Sequence, residues 1–478
     1  MTVPYWVAGK PSTSPIRLDV RHPADDSLVA TTSLASAEDI ETAIAAAAAA
    51  RAETATLPAH VRATALMHVS TRLAERGEEL ARLITAENGK PIRWARVEVS
   101  RAVSTFRWAA EEARRWSGEL QRLDTDPGSS GRVAMVRRVA RGPVLGITPF
   151  NFPLNLVAHK VAPAIAVGAP FVLKPAPATP LSALALGEIL AETDLPAGSW
   201  SILPTTNEVA GQLVTDPRLP VVSFTGSVEI GWSIRDAVPR KQVVLELGGN
   251  AAAVICPDYT ADADLAYAAA RIATFAMYSA GQSCIAVQRV FVPRTHYAAF
   301  VDLLVAAVER LTVGAPGDDA TEVGPLIDTA AARRVHQWVE EALDAGATVR
   351  TGNDRVGTAF APTVLTDVPR TAKVHREEVF GPVVTVDPVD SVDEAFAAVN
   401  DSRFGLQTGV FTHDLGTAFR AHARLEVGAV IVGDVPSFRA DQMPYGGVKD
   451  SGTGREGVRS AMHDLTDDRV LVLTGVEL

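Results

Sequence analysis

The feature that most constrains this chain is a series of short apolar, β-type segments separated by helical stretches. Val144 to Ile147, Phe171 to Leu173, Trp200 to Leu203 and Val221 to Phe224 read as strands, with helix-like segments such as Ser182 to Glu192 between them. A strand that rejoins its sheet through a helix crosses over right-handedly, so this alternation specifies a mostly parallel sheet.

A second alternating region runs from near Val243 to about Val432. It includes Ala251 to Ile255, Arg289 to Val292, Val383 to Val386 and Gly409 to Thr412. Upstream, Ala37 to Glu119 reads as helical, with Ser36 as an N-cap ahead of Glu38 and Asp39 and an alanine run from Ala43 to Ala50. The pattern changes near Gly118. Leu123 to Arg132 is rich in Asp, Gly and Ser, Val133 to Ala140 alternates as a strand, and Asp467 to Val476 is its expected partner. No repeat at solenoid spacing is present. The sequence therefore predicts an α/β chain with two α/β domains and a small β element.

Composition excludes several function classes. Of the 478 residues, 47% are hydrophobic and 21% charged, ample for buried cores. The net charge of −11 opposes nucleic acid or an anionic membrane as partner. Two cysteines, Cys256 and Cys284, supply neither a disulfide framework nor a four-thiolate metal site, and no metal centre is expected. Met1 to Lys10 lacks the basic and apolar segments of a signal peptide. The most apolar stretch, Val144 to Leu173, is broken by four prolines and carries His159 and Lys160, which makes it a poor membrane span. A reduced, soluble, cytoplasmic protein is expected.

Four segments carry residue types suited to chemistry. Cys284 ends Ser279-Ala280-Gly281-Gln282-Ser283-Cys284; a thiolate is a strong nucleophile but needs help to form at neutral pH. Cys256, between an apolar run and Pro257, reads as a core residue, and alone Cys284 fits that reading too. Glu246 follows an apolar strand and precedes Gly248-Gly249; burial there would raise its pKa towards general-base values, or a core arginine pairs with it. Asn151, held between Pro149 and Pro153, suits a pre-positioned oxyanion donor or an ordinary turn. Gly226 and Gly231 open a helix after a strand, a weak phosphate-binding signal on its own.

Taken together, these segments resemble the aldehyde dehydrogenase superfamily. The resemblance runs through Thr148 to Pro153, Val172 to Pro175, Phe224 to Ser227, Leu245 to Asn250 and Gly281 to Cys284. It continues through Glu377 to Pro382 and Pro444 to Lys449 with Ser451-Gly452, in the family's order across nearly the whole chain. It implies a Rossmann-like cofactor domain (1–117 and 141–248), an α/β catalytic domain (249–458) and a β oligomerisation element (118–140 and 459–478).

It also implies that Cys284 attacks an aldehyde and that Asn151 and the Cys284 N–H hold the oxyanion. Hydride passes to NAD or NADP, and Glu246 activates the water that hydrolyses the thioester. Thr148, Pro149, Phe150, Lys174, Pro177, Gly226, Ser227, Leu247, Glu378 and Phe380 are the implied cofactor residues. Pro177, where relatives often carry a ribose-binding glutamate, leaves both cofactors open with the balance towards NAD.

Phe152 to Lys160 and Asp441 to Gly447 resemble the lactaldehyde and phosphonoacetaldehyde dehydrogenase branch, implying a short, polar or anionic aldehyde. Arg107 and His159 are the expected anion-binding pair, with Phe152, Ser283, Arg289, Phe438 and Arg439 also assigned to the substrate. Surface or interface salt bridges are the competing reading of these arginines. The alternatives in function are a longer apolar aldehyde or a semialdehyde, and a non-catalytic binding protein of the same ancestry. A papain-like hydrolase would leave the cofactor motifs unexplained. A homodimer or homotetramer is implied.

Overall fold

The computed structural model describes residues 2–476. Its first sheet, eight-stranded among the described residues, has five parallel strands at its centre in the spatial order Trp200–Ile202, Phe171–Lys174, Val144–Ile147, Val221–Thr225, Gln242–Glu246. In chain order that is 3-2-1-4-5, the doubly wound arrangement, so the connections leave Val144–Ile147 and Val221–Thr225 in opposite directions and open a crevice between their carboxyl ends. The core strands are buried along their length because helices cover both faces.

Before this sheet, the expected helical region divides into Ala37–Thr56, Ala59–Glu75, Gly77–Asn88 and Ile92–Arg115. Ser36 caps the first, its side chain accepting from Asp39 N–H. Pro58 and Pro91 stand just before the second and fourth, where proline cannot continue a helix from upstream, and Gly89 ends the third in a left-handed conformation. The four do not reach Glu119, which opens a strand.

The second sheet orders Thr348–Thr351, Thr363–Thr366, Val383–Val389, Arg289–Pro293, Ala252–Ile255, Gln407–Phe411 and Ala429–Val432, with every pair parallel except the first. Gly452–Thr453 lies in the segment expected to belong with this sheet, yet it pairs with Leu245 and Glu246 at the edge of the first. The helix Val458–Asp464 likewise buries Val458 and Met462 in the first core.

A three-stranded antiparallel sheet stands apart: Glu119–Arg122, Arg132–Ala140 and Thr466–Thr474, with Thr466 opposite Ala140 and Thr474 opposite Arg132. Its apolar side chains, Leu120, Met135 and Val470 to Leu473, are exposed.

Candidate active site

A cavity of about 850 Å³ opens at the crevice and reaches across to the second sheet. Asn151, Glu246 and Cys284 all line it, as do Pro149, Phe150, Gly226, Ser227, Leu247, Glu378 and Phe380. Each arrives from a strand end or a connection. Thr148 to Asn151 follow Val144–Ile147, Gly226 and Ser227 follow Val221–Thr225, and Glu246 is the last residue of its strand.

The loop that leads into Cys284 is conformationally unusual. Ser279, Ala280 and Gly281 have φ of 51°, 55° and 69°, three successive residues in the left-handed region. For the two non-glycines this costs energy that the surrounding packing must offset. Gly281 is required here, because a Cβ would meet the Gly381 carbonyl oxygen at 2.1 Å. At Gly249 a Cβ would meet the Cys284 carbonyl oxygen at 2.1 Å, so the glycine turn after Glu246 lets the two segments close together. Cys284 is half-buried, with its Sγ 3.0 Å from Tyr445 Oη. Burial pushes its thiol up to about 12, opposed by that hydrogen bond. Cys256 is fully buried in the second core and lines none of this cavity.

Asn151 is fixed from two sides. Its Nδ2 donates to Gln282 O at 2.9 Å, tying it to the loop that leads into Cys284, and its own carbonyl accepts from Lys90 Nζ at 2.7 Å. Lys90 is ion-paired with Glu98 and lies 3.9 Å over the Phe152 ring. Glu98 in turn accepts from the N–H groups of Leu154 and Asn155, where the next helix starts.

Glu246 is buried, and neither carboxylate oxygen has a partner among the described residues. Burial, and then the neighbouring charge of Glu456, raise its pKa well above the usual range. Burial also acts on Glu456, but Lys160 at 3.2 Å and Arg439 at 2.9 Å outweigh it and hold that carboxyl down to about 2. Glu378 accepts from Gly249 N–H at 3.0 Å and is raised by burial to about 7. The rings of Phe150 and Phe380 meet edge to face, 5.9 Å between centroids.

Several assigned residues lie elsewhere. Arg107 is exposed on its helix and lines no part of the cavity. His159 is buried beneath the site against Asp441 at 3.2 Å, and burial lowers its pKa to about 4, so at neutral pH it offers no positive charge. The expected anion pair is therefore corrected. Arg289 is buried in a strand of the second sheet, donates to the carbonyls of Ala398, Asn250 and Val399, and lines no part of the cavity. Phe438 is half-exposed and lines a smaller side cavity near Arg101 and Arg439. Lys174, bonded to Asn207 Oδ1, and Pro177 and Thr148 stand outside the main cavity lining.

Phe152, Ser283 and Arg439 do line the cavity. So do Arg101 and Tyr445, to which the sequence reading gave no role. Arg101 carried no signal apart from the arginine-rich helix it shares with Arg107. Tyr445 stands inside the Pro-Tyr-Gly-Gly motif, and its hydroxyl was the available clue.

Known proteins resemble the whole chain. The model of the aldehyde dehydrogenase family matches residues 6–471. 3-Sulfolactaldehyde dehydrogenase of Priestia aryabhattai is 41% identical over 98% of this chain and 97% of the relative. The crystal structure of aldehyde dehydrogenase 21 from Physcomitrella patens, in complex with the reaction product succinate, superposes with a TM-score of 0.97 at 44% identity, covering 99% of this chain and 98% of the other. The NADP-dependent glyceraldehyde-3-phosphate dehydrogenase of Bacillus halodurans, complexed with NADP, gives 0.95 at 34% identity over 100% of both chains. With both fold and sequence shared over their full extent, this chain belongs to the aldehyde dehydrogenase family, as an NAD(P)-dependent enzyme that oxidises an aldehyde.

Proposed function

We propose that the cavity oxidises a short aldehyde bearing a carboxylate or sulfonate at its far end, with Arg101 and Arg439 as the anion subsite. The observation that carries this is the placing of two guanidinium groups on the wall that also holds Cys284. Arg439 is buried with its Nε unpartnered among the described residues, and Arg101 keeps part of its fork free beyond its 3.0 Å pair with Asp441. Guanidinium matches carboxylate and sulfonate oxygens in shape and charge. A relative named for 3-sulfolactaldehyde and a structural neighbour holding succinate agree with such a group.

In this reading the Cys284 thiolate attacks the aldehyde carbon. A C–S bond forms, the carbonyl electron pair moves to oxygen, and Asn151 Nδ2 with the Cys284 N–H holds the charge that develops. A nicotinamide held in this cavity would supply the acceptor for the hydride that departs from the adduct carbon. Glu246, with both oxygens unpartnered among the described residues, takes a proton from water as the water oxygen bonds to the thioester carbon; the C–S bond then breaks, Cys284 leaves as the thiolate and the acid is released.

The residues present fit the dinucleotide. Ser227 precedes its helix without capping it, so its hydroxyl and the first-turn N–H groups remain for a pyrophosphate. Glu378 lines the cavity with one hydrogen bond made and acceptor capacity left for a ribose. We assign dinucleotide binding to the first sheet and its helices, and the supply of the nucleophile Cys284 to the domain of the second sheet.

A second copy of the chain, in a dimer or a tetramer, would cover the exposed three-stranded sheet. A thiol that must stay reduced suits the cytoplasm. Among the described residues no helix is long and apolar enough to cross a membrane.

The test is Arg101→Leu, assayed on succinate semialdehyde and on propanal, with Arg107→Leu as control. Losing one arm of a charged clamp is worth about 2 kcal/mol, or roughly 30-fold in kcat/KM for the anionic substrate, carried mainly by KM. Propanal oxidation should hold, and Arg107→Leu should change neither. An equal loss on both aldehydes would remove the anion subsite.

A further inference from the structure

We propose that the Tyr445 hydroxyl is a further catalytic group of this site, donating a hydrogen bond that stabilises the thiolate form of Cys284 before the aldehyde arrives. The inference rests on Cys284 being the nucleophile.

A thiolate has no proton, so in that state the 3.0 Å contact has one sense: Tyr445 Oη donates and Sγ accepts. The surroundings otherwise work against the anion. Burial disfavours it, and Glu246 and Glu378 add negative charge nearby, while Arg439 is the cation that opposes them. Tyr278 also faces this region, but its hydroxyl donates to Ser283 Oγ at 2.5 Å and is engaged there.

The phenol is built into place. Tyr445 is 3% exposed, and its N–H and carbonyl pair with those of Glu456 at 3.0 and 2.7 Å. The Arg439 guanidinium lies 3.8 Å from the ring centroid. A cation on the π face draws electron density from the ring and makes the O–H a stronger donor. Phenylalanine would keep the shape and lose only the donor.

The consequence follows from how thiols react. At a pH below the thiol pKa, the rate depends on the thiolate fraction and on intrinsic nucleophilicity, which falls as pKa falls with a Brønsted slope of about 0.4–0.5. Raising the pKa by one unit therefore costs tenfold in thiolate and returns about threefold in reactivity, a net loss of about threefold.

The experiment measures inactivation by iodoacetamide from pH 6.5 to 9.5, without cofactor, in three proteins: the unaltered chain, Tyr445→Phe, and the chain with 3-fluorotyrosine at position 445. In the measured step the thiolate displaces iodide and an S–C bond forms. Cys256 is fully buried and does not compete. Tyr445→Phe should shift the curve to higher pH and slow alkylation at pH 7.5 about threefold or more. Fluorotyrosine, a stronger donor of nearly the same size, should shift it to lower pH and speed alkylation at that pH.

Superimposed curves, or both variants moving the same way as a packing disturbance would, overturn the proposal. If Tyr445→Phe does not fold, the fluorotyrosine protein decides by itself. Turnover surviving complete alkylation of Cys284 would instead overturn the nucleophile assignment, so the two failures are distinguishable.

Discussion

Glu246 shows how a single side chain takes its chemistry from neighbours that are distant in sequence. Its carboxylate is a base only when ionised, yet burial and Glu456 both favour the protonated form, while Arg439 and Lys160 pull the other way. With the net pKa raised, thioester hydrolysis should increase with pH along a limb lying above the range of an ordinary glutamate. Glu456→Gln removes a negative neighbour and leaves Lys160 and Arg439 in place, so the Glu246 pKa falls. The limb should move to lower pH by about one unit. Single-turnover hydrolysis of the acyl-enzyme against pH reads this directly, and a shift to higher pH would contradict the electrostatic account.

The convergence of Asn151, Glu246 and Cys284 on one cavity was legible at this scale because each sits in a motif that carries the family resemblance. Of the proposed anion subsite, Arg439 was read from the sequence and Arg101 was not. Arg101 and Arg107 share one helix, and six residues are about one and two-thirds turns, so their side chains point roughly 120° apart. Helical phase relative to a cavity is a tertiary fact; no local pattern separates the two.

At the scale of elements, the helix Ile92–Arg115 does more than cover a sheet. Through Glu98 it accepts the first N–H groups of Asn155–Val167, and through the Lys90 partner of Glu98 it holds the Asn151 carbonyl. A buried cation and anion thus fix the strand-to-helix connection that carries Asn151, the proposed oxyanion donor. Lys90→Met should leave Glu98 as a buried, uncompensated charge, costing about 3–5 kcal/mol in urea unfolding. It should also lower kcat more than it raises KM, because misplacing a group that acts in the transition state by about 1 Å can cost roughly 100-fold. If activity is retained despite lost stability, the clamp serves folding alone.

Element types were legible where a helical period is long, as in the helices before Glu119, or where apolar runs recur between helix-like segments, as in the strands from Val144 to Thr225. They were not legible for Tyr5–Val7 and Lys10–Ser12, three residues each, which are too short to show a period and take their place by pairing at the edge of the first sheet. Gly452–Thr453 escaped for the same reason.

For the whole molecule, the alternation of strands and helices anticipated a mostly parallel sheet though not its strand order, and the pairing of Arg132–Ala140 with Thr466–Thr474 was foreseen across more than 300 residues. The sequence could not say which surface stays apolar after folding. Val470, Leu471, Val472 and Leu473 are consecutive and 38–56% exposed, so apolar side chains emerge on both faces of the strand. An exposed sheet of this kind without a covering layer is an association site or an aggregation hazard. Covering one leucine is worth about 1.5–3 kcal/mol, and two per copy contribute a large part of what holds a dimer. Leu471→Asp with Leu473→Asp replaces that gain with the cost of burying two carboxylates per copy in a chain that already carries −11. Light scattering after size exclusion should then give a smaller assembly with unchanged far-ultraviolet circular dichroism, since neither residue belongs to a buried core. An unchanged mass would place the subunit contact on another face of the molecule.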